Sequence, residues 1–443
     1  MSSKSAGTGT QEASDPVRWL HLSDLHLGCP GRELWWEMQT EFRDSIRAGV
    51  ERIGVPELIL ITGDLTSTGA GDEFRLVDEF LDQLLGWIRE AGDGPEPLII
   101  PIPGNHDLVR PKGFKEASRF LILEKYGEGN DNDFVKELIA DLWEKRHASF
   151  LKPLFAPYLA WLKRRILPQR KLPGVTVNVS HFPGDLTFYL DLAGRIPLAV
   201  VGLNSTWMQY QAGDFEGQLE LPTAQFHAAL DRRTKGSPLA ELEATERALL
   251  LMHHPPSWLS PRAQDEFRGT IYKPELFVAC LHGHLHKARS KGLSLAGGPP
   301  RYYFQAPSLF GLEHYGTSRE RHAFGYAWGR ISETGQVRLW PRVRTVRGDG
   351  TAAFVHDTFF YGNEPDGSQM RPADSVTLLE PEPSPTPARQ CPRRLPPLGP
   401  RAASRLADDR RRRRGAAAAS RRGLRAAQDL AATAPSRPRR ARG

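Results

Sequence analysis

The sequence predicts an α/β domain that carries a helical insert and ends in a disordered tail. Short runs of β-branched and large apolar residues recur at 17–22, 58–62, 98–102, 198–203, 249–252 and 277–281, each closing on polar or Gly-rich sequence, as buried strands do. Amphipathic stretches at 33–52 and 73–89, with apolar residues three and four apart, separate the first three runs. At 443 residues, 40% hydrophobic and 25% charged, the chain is long enough and apolar enough to close one large core.

Residues 1–15 are small and polar, lack the apolar centre of a secretory signal, and are expected to be a disordered leader. The folded domain is expected over 16–379. Strand, helix, strand, helix, strand through residue 102 is the order of an α/β unit. On the first helix, one indole of the pair Trp35 and Trp36 is expected to pack on the sheet and the other to cover a neighbouring loop. From 112 to 172 the rhythm changes to mostly helical sequence, interrupted by Pro153 and Pro157, which reads as an inserted cap. Within it Lys163, Arg164 and Arg165 suit a helix C-terminus, where cations face the dipole. Shorter strand-like pieces at 175–179, 186–192, 302–305, 326–331, 336–342 and 353–360 suggest a second sheet packed on the first. After 379 the chain turns to Pro, Arg and Ala, a composition that cannot bury enough apolar surface to offset its ordering entropy, so 380–443 is expected to be disordered.

The formal charge of +7 is unevenly spread. From Arg389 onward there are 17 arginines and 3 aspartates, about +14, which leaves an acidic body of about −7. Three cysteines, Cys29, Cys280 and Cys391, form no C-x-x-C pair, so neither a disulfide framework nor a thiolate zinc site is indicated. No stretch approaches the roughly 20 apolar residues of a membrane span, and a cytoplasmic protein is expected.

Five polar clusters follow apolar runs: Asp24 and His26 after VRWLHLS, Asp64 after ELILITG, Asn105, His106 and Asp107 after LIIPIPG, His253 and His254 after ALLLM, and His284 and His286 after FVACLHG. Ligands of open α/β sheets sit beyond the carboxyl ends of the strands, so five strands would deliver these side chains to one edge. Imidazole and carboxylate oxygen suit zinc, iron, manganese or nickel. An Asp-x-His or His-x-His pair can aim both side chains at one site where the chain leaves the sheet. Gly63, Gly104 and Gly283 fit where backbone must come close or take positive φ.

DLH, GD, GNHD, HH and GHLH in this order resemble the calcineurin-like metallophosphoesterase superfamily. The resemblance implies a four-layer α-β-β-α sandwich, two facing mixed sheets flanked by helices, around two divalent metal ions of the manganese, iron or zinc kind. It implies Asp24, His26 and His286 on one metal, Asn105, His253 and His284 on the other, and Asp64 bridging. His254 is an alternative to His253, since MHHPP leaves the register open; His282 reads as support. In the implied mechanism a metal-bridging hydroxide attacks phosphorus, His106 protonates the leaving alkoxide, and Asp107 orients the His106 ring and raises its pKa.

GDLTSTGAGDEF, VGLNST and GQLELPTAQFHAAL look like the class III cyclic-nucleotide phosphodiesterase branch. The insert at 112–172 is longer than that branch's compact core, and could shape a pocket for another diester or admit a larger partner. A small phosphodiester is therefore the expected substrate. A nuclease is disfavoured by the acidic body, because nucleic-acid affinity rests on Lys and Arg facing phosphates. A scaffold working through the basic tail has no need of a complete metal site.

Overall fold

Hydrophobic periodicity becomes two sheets in the computed structural model, which describes residues 15–29, 33–112, 151–230, 239–245, 247–285, 289–293, 301–310, 324–357 and 376–377, all within the unit Met1–Pro381. The first sheet is built on β1 (Val17–Leu22), β2 (Leu58–Thr62) and β3 (Leu98–Ile102), parallel and in step, with Leu60 opposite His21 and Ile100. Two helices, α1 (Glu33–Ile53) and α2 (Glu73–Ala91), connect them. These bounds lie within two residues of those the periodicity predicts. All five residues of β2 and of β3 are buried, as expected of strands covered on both faces.

The second sheet contains β4 (Val175–Val179), β5 (Leu186–Leu190), β6 (Leu198–Gly202), β7 (Ala248–Leu251), β8 (Ala279–His282), β9 (Arg289–Leu293) and β10 (Arg301–Gln305), in the order β4-β5-β6-β7-β8-β10-β9. Strands β6, β7, β8 and β10 run parallel, and antiparallel strands close both edges. The later strand-like pieces do not all form this sheet. Three of them, β11 (Gly325–Ile331), β12 (Val337–Val346) and β13 (Ala352–His356), return to the first sheet beside β1, and β14 (Val376–Thr377) joins them on β12. Their pairing hides the β1 backbone edge, an exposed ladder that sheets avoid leaving open. Periodicity reports that a segment is a strand, not which neighbour it takes.

Alternation along the strands divides the core. Leu249, Leu251, Ala279 and Leu281 face the first sheet in a cluster shared with Leu20, Leu60 and the buried sides of α1 and α2. Ala248, Leu250, Met252 and Cys280 face away from it, packing with Phe226 and Ala263 of α4 (Thr223–Leu230) and α6 (Pro261–Glu266) and Leu242 of α5 (Ala240–Thr245). Helices, sheet, sheet, helices is the four-layer arrangement that the sequence resemblance implies.

Of the insert, 151–172 is described, and it forms a side wall. Helix α3 (Ala156–Trp161) continues through a π turn and a 3₁₀ turn to Lys171. The Gln169 amide donates to the Ile99 carbonyl at 2.8 Å and accepts from the Ile99 N–H at 2.7 Å, so it covers the open edge of β3. Trp161 Nε1 and Arg164 donate to Asp78 of α2 at 2.9 and 2.6 Å, and Arg165 also pairs with Asp82. The arginines thus engage α2 carboxylates rather than serving only a helix dipole. Trp35 packs among Phe42, Phe80, Trp87 and Phe310. Asp15, at the end of the expected leader, is already tied to the fold, its N–H bonding to Gly194 O at 2.9 Å. Residues 1–14, 113–150 and 380–443, Cys391 and the Trp36 side chain lie outside the described set. Cys29 and Cys280 are free thiols. Among the described residues, no helix is long and apolar enough to cross a membrane.

Candidate metal centre

The parallel strands of both sheets point their carboxyl ends the same way. The five polar clusters therefore come from two facing sheets, β1, β2 and β3 on one side and β7 and β8 on the other, rather than from the edge of a single sheet. Backbone bonds fasten neighbouring loops within each sheet. Asp24 N–H donates to Gly63 O at 3.1 Å, His26 N–H to Asp64 O at 2.9 Å, and Gly283 N–H to His253 O at 3.0 Å. The bond from His284 N–H to Asp24 Oδ2, at 3.2 Å, spans the two sheets.

Close approach explains two glycines. A Cβ on Gly104 would overlap the backbone nitrogen and Oδ1 of Asp64, and one on Gly63, whose φ is +93°, would lie 2.5 Å from His253 Nδ1. Among the described residues the non-glycine positions with positive φ are Asp24 (53°), His26 (41°), Asp64 (53°) and His284 (72°). All four belong to the clusters singled out from sequence. Left-handed backbone costs a non-glycine residue about 1–3 kcal/mol and persists where the surroundings hold it, commonly at functional sites.

Asp64 is central. Its Oδ1 accepts the His106 N–H at 2.7 Å, while Oδ2 lies 3.4 Å from His253 Nε2 and 3.8 Å from His26 Nε2. His253 Nε2 is also 2.9 Å from Asn105 Oδ1 and 3.2 Å from His284 Nδ1. Its other nitrogen, Nδ1, is 2.7 Å from Thr62 O, a carbonyl that fixes the proton there and turns Nε2 toward the carboxylates. Both nitrogens of His254 have neighbours, Nδ1 facing Ser205 Oγ at 3.1 Å and Nε2 facing Gln209 Oε1 at 2.9 Å. Of the two histidines of MHHPP, His253 is the one beside Asp64 and Asn105, and both lie near His284.

Three sets of side chains bring ligand atoms within 4.8 Å of one another: His26, Asp64 and His106; Asp24, Asp64 and His253; and His253, His254 and His284. Each could hold a cation, and Asp64 belongs to two of them. The donors are imidazole nitrogens and carboxylate oxygens, with the Asn105 amide oxygen adjacent, a set that fits borderline divalent metals. The electrostatics agree. Burial would lower the His253 pKa, yet Asp64, Asp24 and the Thr62 carbonyl outweigh it and raise it to about 9. Burial opposes ionisation of Asp64 too, but His253, His106 and His26 hold its pKa well below the ordinary carboxylate value. Without a metal, the pocket already favours positive charge at its centre.

Asp107 departs from expectation. The His106 Nδ1 is 2.8 Å from the Ser67 carbonyl, so that carbonyl, not Asp107, orients the ring. The Asp107 carboxylate is fully buried and accepts from Leu65 N, Thr66 N, Thr66 Oγ1 and Gly104 N at 2.8–3.1 Å, tying the loop after β2 to the loop after β3. His282 is buried and neutral, its pKa pushed down to about 4 chiefly by burial, consistent with support. His286 lies outside the described residues. Sequence reasoning missed Ser205, Gln209 and Trp258, whose ring centroid is 4.1 Å from that of His284. VGLNST flagged the first of these only as part of a resemblance, and nothing in PPSW marks its tryptophan.

The sequence profile described as calcineurin-like phosphoesterase matches residues 17–288. Solved structures with similar chain paths include a purple acid phosphatase from yellow lupin (Lupinus luteus) seeds, at 11% identity and TM-score 0.38, covering 77% of this chain and 54% of that one. Vps29 of Chaetomium thermophilum is another, at 10% identity and TM-score 0.27, covering 76% of this chain and 93% of that one. This chain spans about half the length of the lupin phosphatase. No curated protein sequence matches it.

Proposed function

Because the chain belongs to the calcineurin-like phosphoesterase family, a family of metal-dependent phosphoester hydrolases, we propose that it cleaves a small phosphodiester with two divalent cations. The observation that carries this reading is the Asp64 carboxylate, one oxygen of which lies between His26 on one flank and His253 on the other. Asp24 and His26, with His286, would hold one cation; Asn105, His253 and His284 would hold the second; Asp64 would be shared. Bound there, divalent cations acidify water and neutralise charge gathering on the phosphoryl oxygens.

The chain's own groups do the rest. Asp24, Asp64 and His253 are at most 1% exposed, so the reaction takes place where charge is poorly screened. The His106 N–H holds Asp64 Oδ1, and the Ser67 carbonyl holds Nδ1–H of the His106 ring, which leaves Nε2 to deliver a proton. As the new bond from water oxygen to phosphorus forms and the ester bond breaks, that proton goes to the leaving alkoxide. The acidic body supports a small substrate over a nucleic acid.

Metal analysis of the purified protein, followed by assay of chromogenic diester and monoester substrates with manganese, zinc or iron, tests the proposal. The diester is expected to turn over faster, and Asp64→Ala to lose both bound metal and turnover. His106→Ala should slow esters with poor leaving groups by roughly 10²–10⁴-fold and activated esters much less. Equal slowing of both would remove His106 from the acid role, and a monoester preference would overturn the diester assignment.

A further inference from the structure

One aromatic side chain beside the candidate centre has no part in the proposed hydrolysis. Trp258 closes the 3₁₀ turn Pro256–Trp258, directly after His253, His254 and Pro255. Its half-buried indole stacks on His254, centroids 5.2 Å apart and planes 20° from parallel, and stands at 81° to the His284 ring, 4.1 Å away. The position is rigid. Trp258 N–H donates to Pro255 O at 2.9 Å, its carbonyl accepts from Leu219 N at 3.1 Å, and the His254 beneath it is held at both nitrogens by Ser205 and Gln209. Beside Asp64, His26 and His106 meet edge to face at 4.8 Å. A phosphoryl group at the centre would thus have both the His106 imidazole and a fixed indole among its neighbours.

We infer that Trp258 is a specificity-determining wall that receives an aromatic substituent of the phosphodiester, a nucleobase or an aryl group, and selects such esters over alkyl ones. This rests on the function proposed above. A preorganised indole loses little conformational freedom on binding, and stacking on it tolerates any planar ring. Bracing of His254 and His284 alone would affect all phosphate ligands alike, so selectivity distinguishes the two roles.

The test uses metal-loaded full-length protein and two probes, adenosine 5′-monophosphate and glycerol 3-phosphate, titrated calorimetrically, with metal content measured in every variant. Trp258→Leu, which keeps bulk but removes the π face, is expected to lower the affinity ratio of the nucleotide to the alkyl phosphate by roughly tenfold, the scale of one stacked base. Trp258→Phe should retain most of the ratio. An unchanged ratio, or loss of cations from Trp258→Leu, would make Trp258 a bracing residue and overturn the inference while diester hydrolysis by the unaltered protein stands. Absence of any diester hydrolysis or metal uptake in the unaltered protein would instead sink the functional reading, and this inference with it.

Discussion

Asp107 is a residue whose importance was legible from sequence and whose task was not. GNHD marks it as part of the constellation, but its four hydrogen bonds from Gly104, Leu65 and Thr66 appear only when the loops after β2 and β3 lie side by side. Two donors meet each carboxylate oxygen. In Asp107→Asn one of those oxygens becomes an NH₂ that faces two N–H or O–H donors, leaving buried groups unsatisfied at about 1–3 kcal/mol apiece. The variant is expected to lose about 2–4 kcal/mol in denaturant unfolding and to bind metal more weakly, since the loops it joins carry Asp64 and Asn105. Unchanged stability would mean the loops hold their places without the carboxylate. The four positive-φ residues show the same limit on reading from sequence. Their residue types announce metal chemistry, whereas the backbone strain needed to aim them is visible only in the fold.

At the scale of elements, residue periodicity and propensity were enough to place strands and the two long helices, because burial on both faces writes continuous apolar runs and burial on one writes a 3.6-residue repeat. Partner choice left no such trace. Nothing in GYAWGRI distinguishes a strand that pairs with β1 from one that extends the other sheet. The described part of the insert, 151–172, was legible as helical but not as a wall, since the contact between Gln169 and Ile99 joins residues 70 positions apart. The junction of α2 with α3 makes its own prediction. Asp78 accepts from Trp161 Nε1, which is nearly fully buried, and pairs with Arg164 and Arg165. Because Arg164 is 60% exposed and Arg165 lies 3.9 Å from Asp78, the indole bond should dominate, and Asp78→Ala is expected to destabilise the fold by about 1–2 kcal/mol. Metal content should stay unchanged, because the junction lies along the side of the first sheet. Denaturant unfolding and metal analysis of the same variant separate the two effects; lost metal would show that the wall supports the strand ends.

Across the whole molecule, two sheets meet face to face, and this places ionisable groups in the apolar seam between them. His21 lies on the first sheet against Phe304 of the second, its pKa pushed down to about 3 by burial and then by the nearby His282, itself held at about 4. A histidine whose pKa is depressed in the fold contributes stability that is fully present above its unfolded value, about 6.5, and is lost as pH falls toward the folded value. His253, raised to about 9 in the absence of metal, works the other way: its contribution is full below about 6.5 and disappears as pH rises through 9. Together these three histidines favour the metal-free fold most near pH 6.5. Each of the three contributes a slope of about 1.4 kcal/mol per pH unit, His21 and His282 to the acid limb and His253 to the alkaline one, beside the shares of other buried groups such as His254, held low, and Asp107, raised to about 6. Urea unfolding in chelator from pH 5 to 9 measures both slopes. His21→Gln should take about 1.4 kcal/mol per pH unit off the acid limb and leave the alkaline one intact. Saturating divalent cation should remove the His253 share of the alkaline limb, because a metal at His253 Nε2 replaces the proton that its carboxylate neighbours otherwise hold there. An alkaline slope unchanged by bound metal would show that the charge-seeking pocket and the metal centre are different places.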